Sequence, residues 1–390
     1  MHIYRTKEQE DVYSVARNFG ISPVKLAEIN DLNIKGKLPL GREMLVIIPT
    51  RTYNVKSGDT LERISRRFDV KKESLLRLNP ELGGRETVYQ GQLLNVKSGT
   101  ESYGMINTNG YYYRGCNIDR LLRIIPYLGY VTFCSAVYKS GVIHTLFQTE
   151  DAVMLTKSLG RVPMVRIYMS QLPAGDEIKS FANSAAIYAK TGGFAGVTLS
   201  SIGSFGLKSE EADALVFALR KELMRSDLLL FTEGDCEAIK SYMEYADAGI
   251  LTYDKLHKSE IPSFEEGEKC SLEKFANEGE SIRTFIEFSS FAYCRGKYIE
   301  KSEALRITDK KHGEIIYDDA KKISRAIYGK SGKNEIVYES LENTKSKLEL
   351  LSELGYLGVC FDILRVCTAD IMMLSEMFSI ITSPVLNVTK

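Results

Sequence analysis

Residues 191–206 read TGGFAGVTLSSIGSFG. Gly192 and Gly193 close the helical run that ends at Lys190, because glycine takes the left-handed backbone at a helix end without a steric penalty. The apolar run 194–199 then reads as a short strand buried on both faces. Small polar residues follow at once, Ser200, Ser201, Gly203 and Ser204. A new helix is expected near Ser209, with Glu210 and Glu211 complementing its N-terminal dipole. A buried strand running into a polar loop and then a helix is the repeating unit of an α/β barrel, whose chemistry sits in such loops.

Outward from this unit, strands expected at 104–107, 130–133, 164–168, 194–199, 228–231, 248–252, 284–288 and 357–361 alternate with helical runs such as TEDAVMLTKSLG and EEADALVFALRKELMRS. This alternation places the chain in the α/β class with a parallel sheet. Eight strands fit a closed (β/α)8 TIM barrel better than an open sheet.

The frame Gly193, Phe194, Gly196 and Val197 resembles the fourth barrel strand of glycoside hydrolase family 18, whose pattern is G-[FY]-D-G-x-D-x-D-x-E. The four acidic positions of that pattern hold Ala195, Thr198, Ser200 and Ile202. In the family the final Glu protonates the leaving oxygen and the Asp before it orients the substrate's N-acetyl group. The resemblance therefore implies a glycosidase scaffold without its acids, and no catalytic residue is expected at these positions. Loss of a general acid alone removes a factor of about 10²–10⁴. Thr252-Tyr253-Asp254 resembles the end of the family's M-x-Y-D strand, so Tyr253 and Asp254 are expected to contact a sugar. In the eighth strand, Asp362 stands where the family keeps a Trp on the pocket floor. EIIYDD, EIVYES and Lys345-Ser346-Lys347 resemble the small α+β insertion of bacterial members, over about residues 292–345.

Residues 2–49 repeat in 51–98 at an offset of 49, with Tyr4 meeting Tyr53, Phe19 meeting Phe68, Leu26 meeting Leu75 and Asn30 meeting Asn79. Each copy reads strand, helix, helix, strand. In the second, YNVKSGDTLERI, Asn79-Pro80 and GQLL resemble a LysM domain, a βααβ module for N-acetylglucosamine-containing glycans. The resemblance implies binding by the two loops around Gly58, Asp59, Thr60 and around Asn79, Pro80. The first copy has Gln9-Glu10-Asp11 in place of Gly58-Asp59-Thr60, which predicts that it keeps the fold but loses the glycine turn. The domains expected are thus a divergent LysM unit over 1–50, a second over 51–98 and the barrel over 99–390.

Composition narrows the function. Lys plus Arg and Asp plus Glu number 51 each, so no bulk charge points to nucleic acid or an anionic membrane. No apolar run approaches the roughly 20 residues of a membrane span, and MHIYRTKEQE lacks a secretory pattern. Synthesis in the cytoplasm is the expectation. The seven scattered cysteines and four distant histidines show no metal-ligand spacing, so neither a metal nor a cofactor is expected. With 22 Tyr, 16 Phe and no Trp, any sugar platform has to be built from tyrosine or phenylalanine, for instance the run Tyr111 to Tyr113 after the first strand.

LysM units, such a barrel and no secretory signal together resemble the spore-cortex N-acetylglucosaminidases of endospore-forming bacteria, and the resemblance implies deposition on the spore coat or cortex. Three functions follow. The first is a non-catalytic binder of peptidoglycan or chitooligosaccharides. The second is a hydrolase using displaced acids near strand ends, Glu233, Asp235, Glu287 and Asp362, since two carboxylates in one pocket can split their pKa values. The third is a protein-interaction scaffold of the spore coat.

Overall fold

The computed structural model describes residues 1–100, 102–200, 210–252, 269–288, 291–295, 297–311, 313–329 and 334–384. Eight parallel strands, Met105–Tyr112, Tyr130–Lys139, Val162–Met169, Gly196–Ser200, Leu229–Gly234, Ala248–Leu251, Thr284–Glu287 and Gly358–Asp362, pair in chain order, and the eighth pairs back onto the first. The barrel is closed, as the alternation of strands and helices predicts. A short strand, Val142–Thr145, folds back antiparallel onto the end of the second barrel strand.

The barrel interior is filled by side chains rather than hollow. Tyr130, Phe231 and Phe285 form a ring cluster with centroids 5.4 to 5.9 Å apart. Met164, Ile250 and Cys360 close around them. Gly196 permits this filling: a Cβ there would lie 2.5 Å from the Leu229 carbonyl oxygen and 2.6 Å from the Met164 methyl. Outside, helices bury one face each against the strands. In Glu177–Thr191 the buried positions Phe181, Ala182, Ala185, Ala186 and Ala189 recur at helical spacing, and the small alanines let the neighbouring helix Glu210–Arg225 approach.

The first strand is longer than its sequence pattern suggests. It runs to Tyr112 instead of stopping near residue 107. Thr108 and Asn109 hide it, being polar yet fully buried. The Thr108 hydroxyl donates to the Tyr127 carbonyl at 2.7 Å, and the Asn109 side-chain oxygen accepts from the Thr132 hydroxyl at 2.9 Å. Tyr111 and Tyr112 therefore belong to the strand and not to a loop after it.

Between the seventh and eighth barrel strands lies a five-stranded antiparallel sheet carrying one helix, Lys301–Lys311. Its order is Lys297–Glu300, Phe291–Cys294, Asn334–Glu339, Ile323–Tyr328, Glu314–Asp318. This is the expected α+β insertion. Among the described residues no helix is long and apolar enough to cross a membrane.

At the N-terminus two βααβ units each enclose a small core. The first consists of His2–Arg5, Val12–Phe19, Pro23–Ile29 and Glu43–Val46, and the second of Pro49–Asn54, Leu61–Phe68, Lys72–Leu78 and Leu93–Ser98. Their registers correct the alignment in one detail. Tyr4 pairs with Met44 and Tyr53 with Leu94, so the offset becomes 50 in the last strand, and the second unit has one more residue before it. Both units pack on the barrel and on each other. Lys25 is ion-paired with Glu81 at 2.6 Å, the Tyr127 phenol donates to the Arg77 carbonyl at 3.0 Å, and Asp31 accepts from the Thr368 backbone amide at 2.8 Å.

Candidate functional site

The second unit exposes the loop 56–60 between its first strand and helix. Gly58 takes φ 78°. The Asp59 carboxylate accepts from the Tyr53 phenol at 2.7 Å and the Lys56 amide at 2.8 Å, and Thr60 caps the helix by accepting from the Arg63 amide at 3.2 Å. The first unit rebuilds the same turn with other residues, which corrects the expectation that the turn is lost. Gln9 takes φ 63° in place of the glycine, at a cost of about 1 kcal/mol. Glu10 accepts from the Tyr4 phenol at 2.8 Å and the Lys7 amide at 2.8 Å, as Asp59 does from Tyr53 and Lys56. Asp11 caps the helix with Ser14 in a capping box.

Asn79 and Pro80 do not face solvent. Asn79 is 0% exposed, donates to the carbonyls of Leu75 and Asn95, and accepts from the Asn95 amide at 2.8 Å and from Lys25. Asn30 makes the equivalent bonds to Leu26 and Leu45 in the first unit. In both, the asparagine ties the end of the second helix to the final strand, so its side chain serves the fold. The large apolar side chain that faces outward in the segment leading to the final strand is Tyr89, 70% exposed. It sits in the turn before the final strand, where the Gly91 amide donates to the Val55 carbonyl at 2.8 Å, next to loop 56–60. An aromatic ring in the polar segment RETVYQGQ, with no core to join, is the sequence signal that points to it.

At the barrel mouth, strand register places Thr198 beside Arg166 and Ser200 beside Tyr168, with Ala195 just before the strand. Thr198 is fully buried, and its hydroxyl has no hydrogen-bond partner among the described residues. Ile202, Tyr253 and Asp254 lie outside the described residues. Glu233, on the fifth strand, accepts from the Tyr111 phenol at 2.6 Å and is ion-paired with Arg166 Nε at 2.8 Å. Burial, then the neighbouring Cys360 and Glu233, push the Tyr111 phenol well above its usual range, so it stays a donor. Asp235 caps the helix Cys236–Tyr242 by accepting from the Ala238 amide. Asp362 accepts from the Leu364 amide at 2.8 Å and pairs with Arg365; burial raises its carboxyl despite that partner. Glu287 ends the seventh strand in register with Cys360.

Of the tyrosine run, Tyr111 points inward to Glu233, Tyr112 outward against Phe133, with ring centroids 5.0 Å apart, and Tyr113 lines a cavity. That cavity, about 380 Å³, opens at the ends of strands one to three and is walled by Tyr113, Phe147 and Tyr168 with Arg114, Arg166 and Cys134. Burial pushes the Cys134 thiol up to about 12, which leaves it protonated and not a nucleophile. Among the described residues no group of three His, Cys, Asp or Glu side chains could hold a metal ion.

The LysM domain family matches residues 4–46 and 53–97. The two N-terminal units are LysM domains. No curated protein sequence matches the chain. Among solved structures, the spore cortex-lytic enzyme SleL of Bacillus cereus aligns over 98% of this chain and 99% of its own, with a TM-score of 0.74 at 20% identity. SleL of Bacillus megaterium aligns over 97% and 98%, with a TM-score of 0.71 at 17% identity. A chitinase from Chromobacterium violaceum covers 70% of this chain and 98% of its own, with a TM-score of 0.58 at 11% identity. At these identities the likeness establishes the fold: two LysM domains ahead of a family 18-like barrel, over the full length in the SleL enzymes. LysM domains are glycan-binding modules, which gives the coarse function of the chain.

Proposed function

We propose that the protein holds N-acetylglucosamine-containing glycans, peptidoglycan or chitin oligomers, without cutting them, and that it does so in the coat or cortex of a spore. The observation that carries this reading is the pair of adjacent strand ends four and five. On one, Thr198 and Ser200 stand where the family resemblance expects acids; on the other, Glu233 lies buried behind Arg166, where a leaving-group oxygen cannot reach it. Asp235 and Asp362 are spent on a helix cap and a turn. Binding falls to the second LysM unit, whose loop 56–60 and Tyr89 remain open to solvent. The full-length likeness to the cortex-lytic enzymes supports cortex peptidoglycan as the polymer.

The test is to incubate the purified protein with cortex peptidoglycan, then measure what sediments with the polymer and which reducing ends appear in solution. Sedimentation without new reducing ends is expected. Steady release of reducing ends that Glu233→Gln abolishes would overturn the reading in favour of a hydrolase with a displaced acid. Fractionated spores probed with an antibody check the location, and a signal confined to the mother-cell cytosol contradicts it.

A further inference from the structure

The cavity between barrel strands one to three has one-sided charge. In the Arg166–Glu233 pair the Glu233 side chain is 2% exposed and the Arg166 side chain 21%, so the negative member lies inside the barrel and the positive one lines the cavity. Arg166 spends Nε on Glu233, and among the described residues neither of its terminal nitrogens has a hydrogen-bond partner. Arg114 adds a second guanidinium, held by the Leu146 carbonyl and lying 6.0 Å from the Phe147 ring centroid. Among the described residues no carboxylate lines the cavity. The remaining walls are aromatic, and Tyr168 keeps 46% of its surface exposed at the rim.

Each feature selects for something. Aromatic faces suit the C–H face of a pyranose. A guanidinium edge with both terminal nitrogens unspent suits the two oxygens of a carboxylate, and Arg binds such planar anions in a forked geometry. A volume near the lower end of the roughly 300–1,000 Å³ typical of small-molecule sites accommodates one substituted ring rather than a chain.

We propose that this cavity binds a sugar acid: one pyranose carrying a carboxylate, its ring against Tyr168 and Phe147 and its carboxylate on Arg166, with Arg114 supplying further charge. The family resemblance puts the sugar at strands four, six and eight; this site lies at strands one to three, beside strand four and away from six and eight. It rests on the reading of the chain as a glycan binder and adds which sugar the barrel selects. Glu233 acts here as a positioning residue that holds the Arg166 fork toward the cavity.

Calorimetric titration of the full chain with two matched pairs tests this: N-acetylmuramic acid against N-acetylglucosamine, and glucuronic acid against glucose. Each acid is expected to bind at least tenfold more tightly than its neutral partner, with the preference shrinking as salt rises. The double variant Arg166→Gln/Glu233→Gln removes both buried charges without orphaning either, and is expected to lose the preference. Should it fail to fold, Arg114→Gln and Tyr168→Ala, both at exposed positions, are each expected to weaken acid binding several-fold. Equal affinity within both pairs, a preference that survives in the folded double variant or in both single variants, or competition by inorganic phosphate with no sugar-acid binding would overturn the proposal. Sedimentation with peptidoglycan separates the two readings. A chain that sediments without preferring acids loses only this site, and one that prefers acids without sedimenting loses only the polymer-binding function.

Discussion

In the first LysM domain Arg42 and Glu43 are buried. Arg42 is ion-paired with Asp309 of the insertion at 3.1 Å, and Glu43 accepts from the Ser324 hydroxyl and the Leu341 amide. In the second domain the structurally equivalent residues are Gln92 and Leu93, and Leu93 is 42% exposed. The Ile315 amide of the insertion donates to the Leu40 carbonyl of the first domain, whereas Tyr89 and loop 56–60 of the second meet solvent. Two copies of one backbone have thus been put to different uses. The first is a strut that fixes the insertion and, through Asp31, the start of the last barrel helix, Thr368–Met377. The second keeps open loop 56–60 and Tyr89, the face proposed to bind glycan.

The largest expected effect is on the strut. Arg42→Ala leaves Asp309 without its partner and should lower unfolding free energy by about 3 kcal/mol, while Gln92→Ala should change it by less than about 0.5 kcal/mol. Urea unfolding of both variants checks this, and equal effects would erase the distinction between the domains.

Next comes the open face. Tyr89→Ala should weaken sedimentation with peptidoglycan about tenfold, equivalent to ~1.4 kcal/mol, as expected for loss of an aromatic anchor. Leu40→Ala in the first domain should leave it unchanged. If Leu40→Ala proved the more harmful to binding, the roles would be reversed.

The smallest effect lies in pH dependence. Burial pushes the Glu43 carboxyl above the ordinary value of 4.5, outweighing the Leu341 amide and Arg5. Hydrogen bonds from Tyr53 and then Lys56 hold Asp59 below the ordinary 3.8. The two signs are opposite. The contribution of Glu43 is full below pH 4.5 and is lost as pH rises through its raised folded value, whereas that of Asp59 is present above pH 3.8 and is lost as pH falls through its depressed one. Glu43→Gln should therefore flatten the stability curve above pH 4.5, and Asp59→Asn should flatten it on the acid side of pH 3.8. Unfolding midpoints measured across pH separate the two, and shifts of the same sign would contradict the assignment.

The barrel and the LysM units were legible in sequence because both depend on local patterns. Gly193, Phe194, Gly196 and Val197 mark one strand and its approach, while Gly58, Asp59 and Thr60 mark a turn and a cap. Misreadings arose where different chemistry performs the same geometry. Gln9 adopts the backbone of a glycine because Tyr4, Glu10 and Asp11 hold the turn around it. That the Asn79 side chain ties helix to strand was not legible, because a loop asparagine carries no mark of its burial.

The sequence by itself determined the α/β barrel, the repeated unit and the absence of acids at the strand-four motif, since helix and strand periods and short turns act over a few residues. Only the tertiary structure decided that Tyr111, Arg166 and Glu233, from strands one, three and five, form one buried network, and that Arg166 turns its unspent edge toward a cavity. It likewise decided which LysM domain is a strut. These facts arise from barrel closure and domain docking, which bring together groups far apart along the chain, and no local pattern encodes which distant charge a buried side chain will meet.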